Sequence, residues 1–308
     1  MQRAENRAWL ARLEERTLPQ FNQLVVWTLL VAAATLACLP FDIHPGERGG
    51  FVSLLSWLPD AAVQSALVWL AFRAALVAGT VLWLAQRWLP WSCWLTVVGF
   101  TGYWSLHVET THNTAHIFNV TNVLLVLQAI WITADRRLIA ERLAAGTLNE
   151  LPLVPRWVSL ASIAYLGIFH TAAGLSKLAF SGGDWANGTA LQLWTYLWGH
   201  SWSPTTWLIL SSRELAAALQ VATLVVETAG VLAVFPRLRT WIGLGLLAFY
   251  GGVLATFDYG FHFNALLTGL YFLPCEQLVT RAAAARLAER RSRAAPMPVK
   301  TQNKTAAS

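Results

Sequence analysis

The chain has 308 residues, of which 56% are hydrophobic and 12% are charged, and its mean hydropathy is +0.48. Soluble domains carry roughly 25% charged residues, so this composition excludes an ordinary soluble globular protein. The net charge of +6 does not indicate nucleic-acid binding, because the basic residues lie between apolar runs and form no basic patch.

Long apolar runs follow one another along most of the chain. A helix needs about 20 apolar residues to cross a bilayer core, and eight runs are near that length, which predicts an all-α, polytopic membrane bundle of about eight transmembrane helices. These runs are 21–39, 62–85, 88–106, 116–134, 157–178, 215–235, 240–257 and 262–280.

Two further apolar segments, 51–58 and 191–210, contain tryptophan and are broken off by Pro, Gly or His. We expect them to lie in the interface or to re-enter the membrane, with a ten-helix bundle as the alternative. The domain organisation is then a cytoplasmic N-terminal segment at 1–20, a transmembrane domain at 21–280 and a basic tail at 281–308. The tail is polar and rich in Ala and Pro, and we expect it to be disordered.

The basic residues predict the orientation of the bundle. With the N-terminus inside, most of the 22 lysines and arginines fall in inner segments, as the positive-inside rule requires. Both ends are therefore predicted to be cytoplasmic. The charged residues 1–20 lack the pattern of a cleavable signal, which suits a multi-pass protein of a bacterial plasma membrane. All seven histidines then lie in the outer half, so we expect a functional site to face outward.

The predicted fifth helix carries an ionisable pair inside an apolar run. His170 and Lys177 are seven residues apart with Gly174 between them, so the three share one helix face. Burial would favour the neutral amine of Lys177, which can act as a base. The small residues around Gly174 leave room for a flat ligand or for a close helix. In the alternative reading, Lys177 reaches the outer interface and His170 bonds a neighbouring carbonyl.

The segment HVETTHNTAHIFNVTN places His112, His116 and Asn119 along one stripe of the predicted fourth helix. Histidines at this spacing can bind zinc or iron, as in metal-dependent hydroxylases. Such sites need several histidine clusters, whereas the other histidines here are single. We therefore predict that these side chains bind a polar organic ligand and that no metal is bound.

Two more sets of residues are candidates. Arg73 and Glu227 fall at similar predicted depth, which predicts a buried, structural ion pair. Glu227 continues a stripe with Gln220 and Thr223. Trp185, just after Lys177, is a candidate stacking wall for an aromatic ligand, although most of the 17 tryptophans are expected in interface belts.

The segment AGLSKLAFSGGDWANG (173–188) resembles a signature of the family of vitamin K-dependent γ-carboxylases and HTTM (horizontally transferred transmembrane) proteins. Three further segments resemble that family in the same order: the helix start at 116–124, Glu227 followed by PRLR (236–239), and FHFNALLTGLYFLP (261–274).

The resemblance implies a membrane enzyme that uses a vitamin K- or menaquinol-type quinol as its cofactor. Lys177 would deprotonate the quinol, whose oxygenation yields a strong base that prepares a substrate carbon for carboxylation. His116 would position the quinol. The residues expected to line the binding site are His170, Gly174, Asn119, His112, Trp185 and His262.

Two other functional classes are open on the sequence. Polar stripes inside apolar helices also line the paths of small-solute transporters, but a transporter should show related halves with broken helices, and no internal repeat is visible. A non-catalytic membrane binding or assembly protein would use the same buried polar groups only to hold helices together. The confinement of the histidines to one side favours the enzyme.

Overall fold

The computed structural model describes residues 30–36, 43, 45–49, 53–111, 117–145, 155–257 and 261–274. In these ranges the regular structure is helical, apart from a single β-bridge between Gly199 and Phe257. The predicted segments 1–20 and 281–308 lie outside the described residues, as does most of the first predicted helix.

Eleven α-helices with printed bounds follow the short helical stretch at 30–36. In chain order they are α1 (Asp60–Val63), α2 (Ala66–Leu84), α3 (Trp91–Thr111), α4 (Ile117–Ala134), α5 (Arg136–Ala144), α6 (Arg156–Ser181), α7 (Thr189–Trp198), α8 (Pro204–Ser211), α9 (Arg213–Thr228), α10 (Pro236–Thr256) and α11 (His262–Phe272). Two 3₁₀ segments, Gly182–Ala186 and Ala229–Val234, continue α6 and α9.

Four segments of the described chain are long and apolar enough to cross a membrane: Ala66–Leu84, Arg156–Ala186, Arg213–Val234 and Pro236–Thr256. The chain is thus an all-helical protein with the helices of a multi-pass membrane protein. The total of eight spans and the inward orientation of both ends stay predictions.

The apolar segment predicted at 191–210 forms two short helices instead of one. α7 has 10 residues and α8 has 8, and neither can cross a bilayer core. The chain breaks between them because Gly199 is extended and Pro204 starts the new helix at its first turn. This α7–α8 hairpin is anchored on the end of α10, where the His200 N–H donates to the Thr256 carbonyl at 2.9 Å.

Small residues bring the long helices unusually close together. On α6, a Cβ placed at Gly167 would lie 2.6 Å from the Gly230 carbonyl oxygen, and one at Gly174 would lie 2.7 Å from Thr228 Oγ1. On α2, a Cβ at Gly79 would meet the backbone nitrogen of Thr96 on α3 at 2.5 Å. Without a hydrophobic driving force between helices in lipid, such close backbone contact stabilises membrane bundles.

Thr171 explains why α9 changes to a 3₁₀ segment after Thr228. Its hydroxyl donates to the Thr228 carbonyl at 3.1 Å and accepts from the Val231 N–H at 2.8 Å. A side chain that takes both groups from the helical ladder forces a local tightening of the helix. The change places Glu227 at the end of α9, directly beside α6.

Candidate functional site

The centre of the candidate site is an ion pair between two membrane-spanning segments. Lys177 Nζ on α6 contacts Glu227 Oε2 on α9, and the side chains are 26% and 5% exposed. Gly174, one turn before Lys177, allows the approach, because a Cβ there would lie 3.2 Å from the Glu227 Cβ. The carboxylate offsets the cost of holding the ammonium away from water.

This pair corrects the partner that the sequence analysis predicts for Glu227. The expected partner, Arg73, lies on α2, which packs chiefly against α3, while α9 packs against α6. Similar depth suggested Arg73, but depth in a bilayer does not tell which helices are neighbours. The shared face of His170, Gly174 and Lys177 decides the pairing, since that face lies against α9.

Two aromatic rings flank the ammonium group of Lys177. The Trp185 ring centroid is 5.0 Å from Nζ and the Phe249 centroid is 5.9 Å away, both within cation–π range. Gly182, at φ 54°, turns the chain after α6 and so brings Trp185 back toward Lys177. The structure thus brings together Lys177 and Trp185, the two most informative residues of the segment 173–188.

A cavity of about 410 Å³ opens beside Lys177, between α6, α7, α9 and α10. Its walls are mainly apolar and aromatic, with Lys177 and Gln220 as its strongest hydrogen-bond donors. Cavities of this size and composition are typical of sites for small organic ligands. The lining residues are Lys177, Trp185, Ala190, Leu191, Trp194, Gln220, Thr223, Phe249, Val253, Phe257 and Phe261.

Gln220 is a site residue whose orientation the sequence analysis missed. The Gly188 N–H donates to its Oε1 at 2.8 Å, which fixes which end of the amide faces the backbone. The NH₂ end is therefore available to the cavity. Gly188 itself has φ 85°, a backbone conformation that favours glycine. The only sequence signal for this arrangement was the stripe of Gln220, Thr223 and Glu227.

His170 lies behind the ion pair and does not line the cavity. It is 2% exposed, and its Nε2 is 3.3 Å from the hydroxyl of Tyr250 on α10. Gly174 is also buried and is filled in by Thr228 and Glu227, so the close-helix alternative holds at this position.

The other predicted site residues are not brought to the cavity by the described structure. Asn119 is exposed on α4, which does not contribute to the lining. His262 is exposed at the start of α11, next to the lining residue Phe261. His112 and His116 lie outside the described residues. Within the described ranges there is no group of three His, Cys, Asp or Glu side chains placed to hold a metal ion.

Comparison with known proteins adds no assignment. No protein-family model, no curated protein and no solved structure matches this chain. The resemblance to the vitamin K-dependent γ-carboxylase and HTTM family stays a prediction that depends on the sequence motifs.

Proposed function

We propose that this membrane protein binds the ring of a vitamin K- or menaquinol-type quinol in the cavity beside Lys177, and that Lys177 accepts a proton from the quinol hydroxyl. One observation carries the proposal: a partly buried lysine, paired with a carboxylate and flanked by two aromatic rings, lines an apolar cavity.

The cavity suits a flat ring with oxygen atoms at its edge. Its volume of about 410 Å³ falls within the range of roughly 300–1,000 Å³ usual for small-molecule sites. Trp185 and Phe249 offer faces on which a ring can stack. The Lys177 ammonium and the Gln220 NH₂ group come from different helices and can each donate to a ring oxygen.

The Lys177–Glu227 pair can exchange a single proton between its members. With that proton on Glu227, the Lys177 amine has a free lone pair and can accept the proton of a hydroxyl in the cavity. Lys177 is then an ammonium group, and its positive charge stabilises the negative oxygen that remains on the ligand. In a low-dielectric site this electrostatic stabilisation is stronger than in water.

The family that the chain resembles carries the chemistry further, to oxygenation of the quinol and carboxylation of a substrate carbon. We include these steps in the proposal as the reaction class, a carboxylase-like lyase or a quinol oxidase, with His116 positioning the quinol. The alternative is a small-solute transporter or a non-catalytic membrane binding protein, which would use the same cavity without a chemical step.

The test is binding of menadione and of a menaquinone to the purified protein in phosphatidylcholine nanodiscs, followed by quenching of tryptophan fluorescence. We compare the wild type with Lys177→Met, which removes the charge but keeps the length, and with His116→Ala. Ser176→Ala is the matched control, because Ser176 is exposed on the same turn and bonds only the Ala173 carbonyl.

We expect saturable binding by the wild type and by Ser176→Ala, and binding weakened about tenfold or more in Lys177→Met. Turnover of the reduced quinone that is lost in Lys177→Met would support the enzyme. Binding that depends on Lys177 without any turnover would favour a non-catalytic binding protein. No binding of either quinone to well-folded wild type would contradict the proposal.

A further inference from the structure

A second cavity, of about 540 Å³, lies between α8, α9 and α10. It is a groove whose walls are aliphatic and aromatic side chains, with three threonines and no charged residue among the lining. Its lining is Leu191, Thr205, Leu208, Ile209, Leu215, Leu219, Ala222, Thr223, Val226, Gly245, Ala248, Phe249, Gly252, Val253, Thr256 and Phe257.

The threonines do not make the groove polar, because each hydroxyl donates to a backbone carbonyl. Thr205 bonds the Ala255 carbonyl at 3.0 Å, Thr223 bonds that of Leu219 at 2.9 Å, and Thr256 bonds that of Gly252 at 2.8 Å. These hydroxyl protons are therefore already used. The groove offers a ligand almost nothing but hydrocarbon contact.

The groove continues the cavity beside Lys177. The two share five wall residues, which lie on α7, α9 and α10 or just beyond: Leu191, Thr223, Phe249, Val253 and Phe257. One end of the combined space thus carries Lys177 and Gln220, and the other end is apolar. A ligand that fills both ends must be amphiphilic, with its polar group at Lys177.

The groove also lies at the depth of the bilayer. Its walls α9 and α10 belong to two of the segments that are long and apolar enough to span a membrane, Arg213–Val234 and Pro236–Thr256. Both cavities are open on one side, and neighbouring side chains such as Leu219 and Leu254 are exposed. A long hydrocarbon chain can therefore enter sideways from the lipid without crossing water.

We propose that this groove binds the hydrocarbon tail of the same molecule whose ring lies beside Lys177, and that the substrate class is a quinol with a long polyisoprenoid chain. The inference rests on the proposed function, since the ring site supplies the polar end. Continuity of the two cavities favours a tail attached to the ring over the acyl chain of a separate phospholipid.

Adjacent glycines on α10 give a matched pair of variants. Gly252 lines the groove and Gly251 does not, and a Cβ at either position would meet no atom within 4 Å. Gly252→Leu therefore fills the groove without a backbone clash, and Gly251→Leu adds the same side chain outside it. Ala248→Leu, one turn earlier in the same groove, is a second blocking variant.

The experiment measures the affinity of menaquinone with a polyisoprenoid tail and of menadione, which has the ring alone, in phosphatidylcholine nanodiscs. We expect Gly252→Leu and Ala248→Leu to bind the long-tailed quinone at least about tenfold more weakly. Menadione affinity should change less than about threefold, and Gly251→Leu should match the wild type for both.

Other results overturn the tail assignment in distinguishable ways. If menadione binding depends on Lys177 but the two blocking variants bind the long-tailed quinone normally, the ring site stands and the tail site is wrong. If the blocking variants release bound phospholipid while both quinone affinities stay unchanged, the groove belongs to a lipid. If neither quinone binds the wild type, the proposed function fails and the tail site fails with it.

Discussion

Lys177 and Glu227 lie 50 residues apart in the chain and form an ion pair at the inner end of an apolar cavity. The pair joins α6 to α9 at the point where both helices are held close by Gly174. The lysine keeps a quarter of its side chain accessible, whereas the glutamate is almost wholly buried. The carboxylate therefore depends on the lysine more than the lysine depends on the carboxylate.

This asymmetry predicts how the protein responds when one partner is removed. Lys177→Met leaves the Glu227 carboxylate buried without its partner, and we expect the free energy of unfolding to fall by about 2 kcal/mol, less than for a fully buried pair because Lys177 is partly accessible. Thermal unfolding in detergent measures the change. Adding Glu227→Gln should restore at least half of the loss, and a double variant no more stable than Lys177→Met would contradict the pairing.

The corrected pairing also predicts that Arg73 and Glu227 act independently. Arg73→Leu and Glu227→Gln should change the free energy of unfolding additively, within about 0.5 kcal/mol, because the Glu227 carboxylate bonds Lys177 and not Arg73. A double-mutant cycle by denaturant unfolding measures the coupling. A coupling of 1 kcal/mol or more, on the order expected for contacting charges, would restore the pair that the sequence analysis predicted.

The sequence predicted most helices of the described chain because each comes from a long apolar run. The run at 157–178 became Arg156–Ser181 and the run at 62–85 became Ala66–Leu84, with ends displaced by a few residues. The break within 191–210 was also visible, since Gly199 and Pro204 interrupt the apolar pattern.

The contacts between helices could not be predicted in the same way. The partner of Glu227 depends on which helices are neighbours, and an apolar pattern gives the buried face of a helix but not what covers it. The 3₁₀ segment Ala229–Val234 needs the hydroxyl of Thr171, which comes from another helix. Gln220 gains its orientation from the Gly188 N–H, a single long-range bond that leaves no sequence pattern.

The close approach of α6 to the chain after α9 predicts a sharp intolerance at Gly167. Gly167→Ala places a methyl group 2.6 Å from the Gly230 carbonyl oxygen, so the two backbones must separate. We expect the free energy of unfolding to fall by about 1–3 kcal/mol, as in other overpacked sites. Gly183→Ala is the control, since a Cβ there meets no atom within 4 Å. Equal thermal stability of the two variants would show that the helices are not in close contact at Gly167.

Gln220 provides the last prediction, because its amide has separable roles at its two ends. Oε1 accepts from the Gly188 N–H, while the NH₂ group faces the cavity. Gln220→Leu removes both and leaves a buried N–H without an acceptor, so we expect a loss of about 1–3 kcal/mol of stability and weaker quinone binding. Gln220→Glu keeps an acceptor for Gly188 and removes only the donor.

If the NH₂ group donates to a ring oxygen, Gln220→Glu should keep most of the wild-type stability and still bind menadione about tenfold more weakly. The loss combines a missing donor with a carboxylate oxygen that repels the ring oxygen. Thermal unfolding and fluorescence titration on the same preparation separate the two effects. Wild-type affinity in Gln220→Glu would mean that Lys177 alone orients the ring, whereas equal stability losses in both variants would mean that the Gly188 bond does not hold the amide.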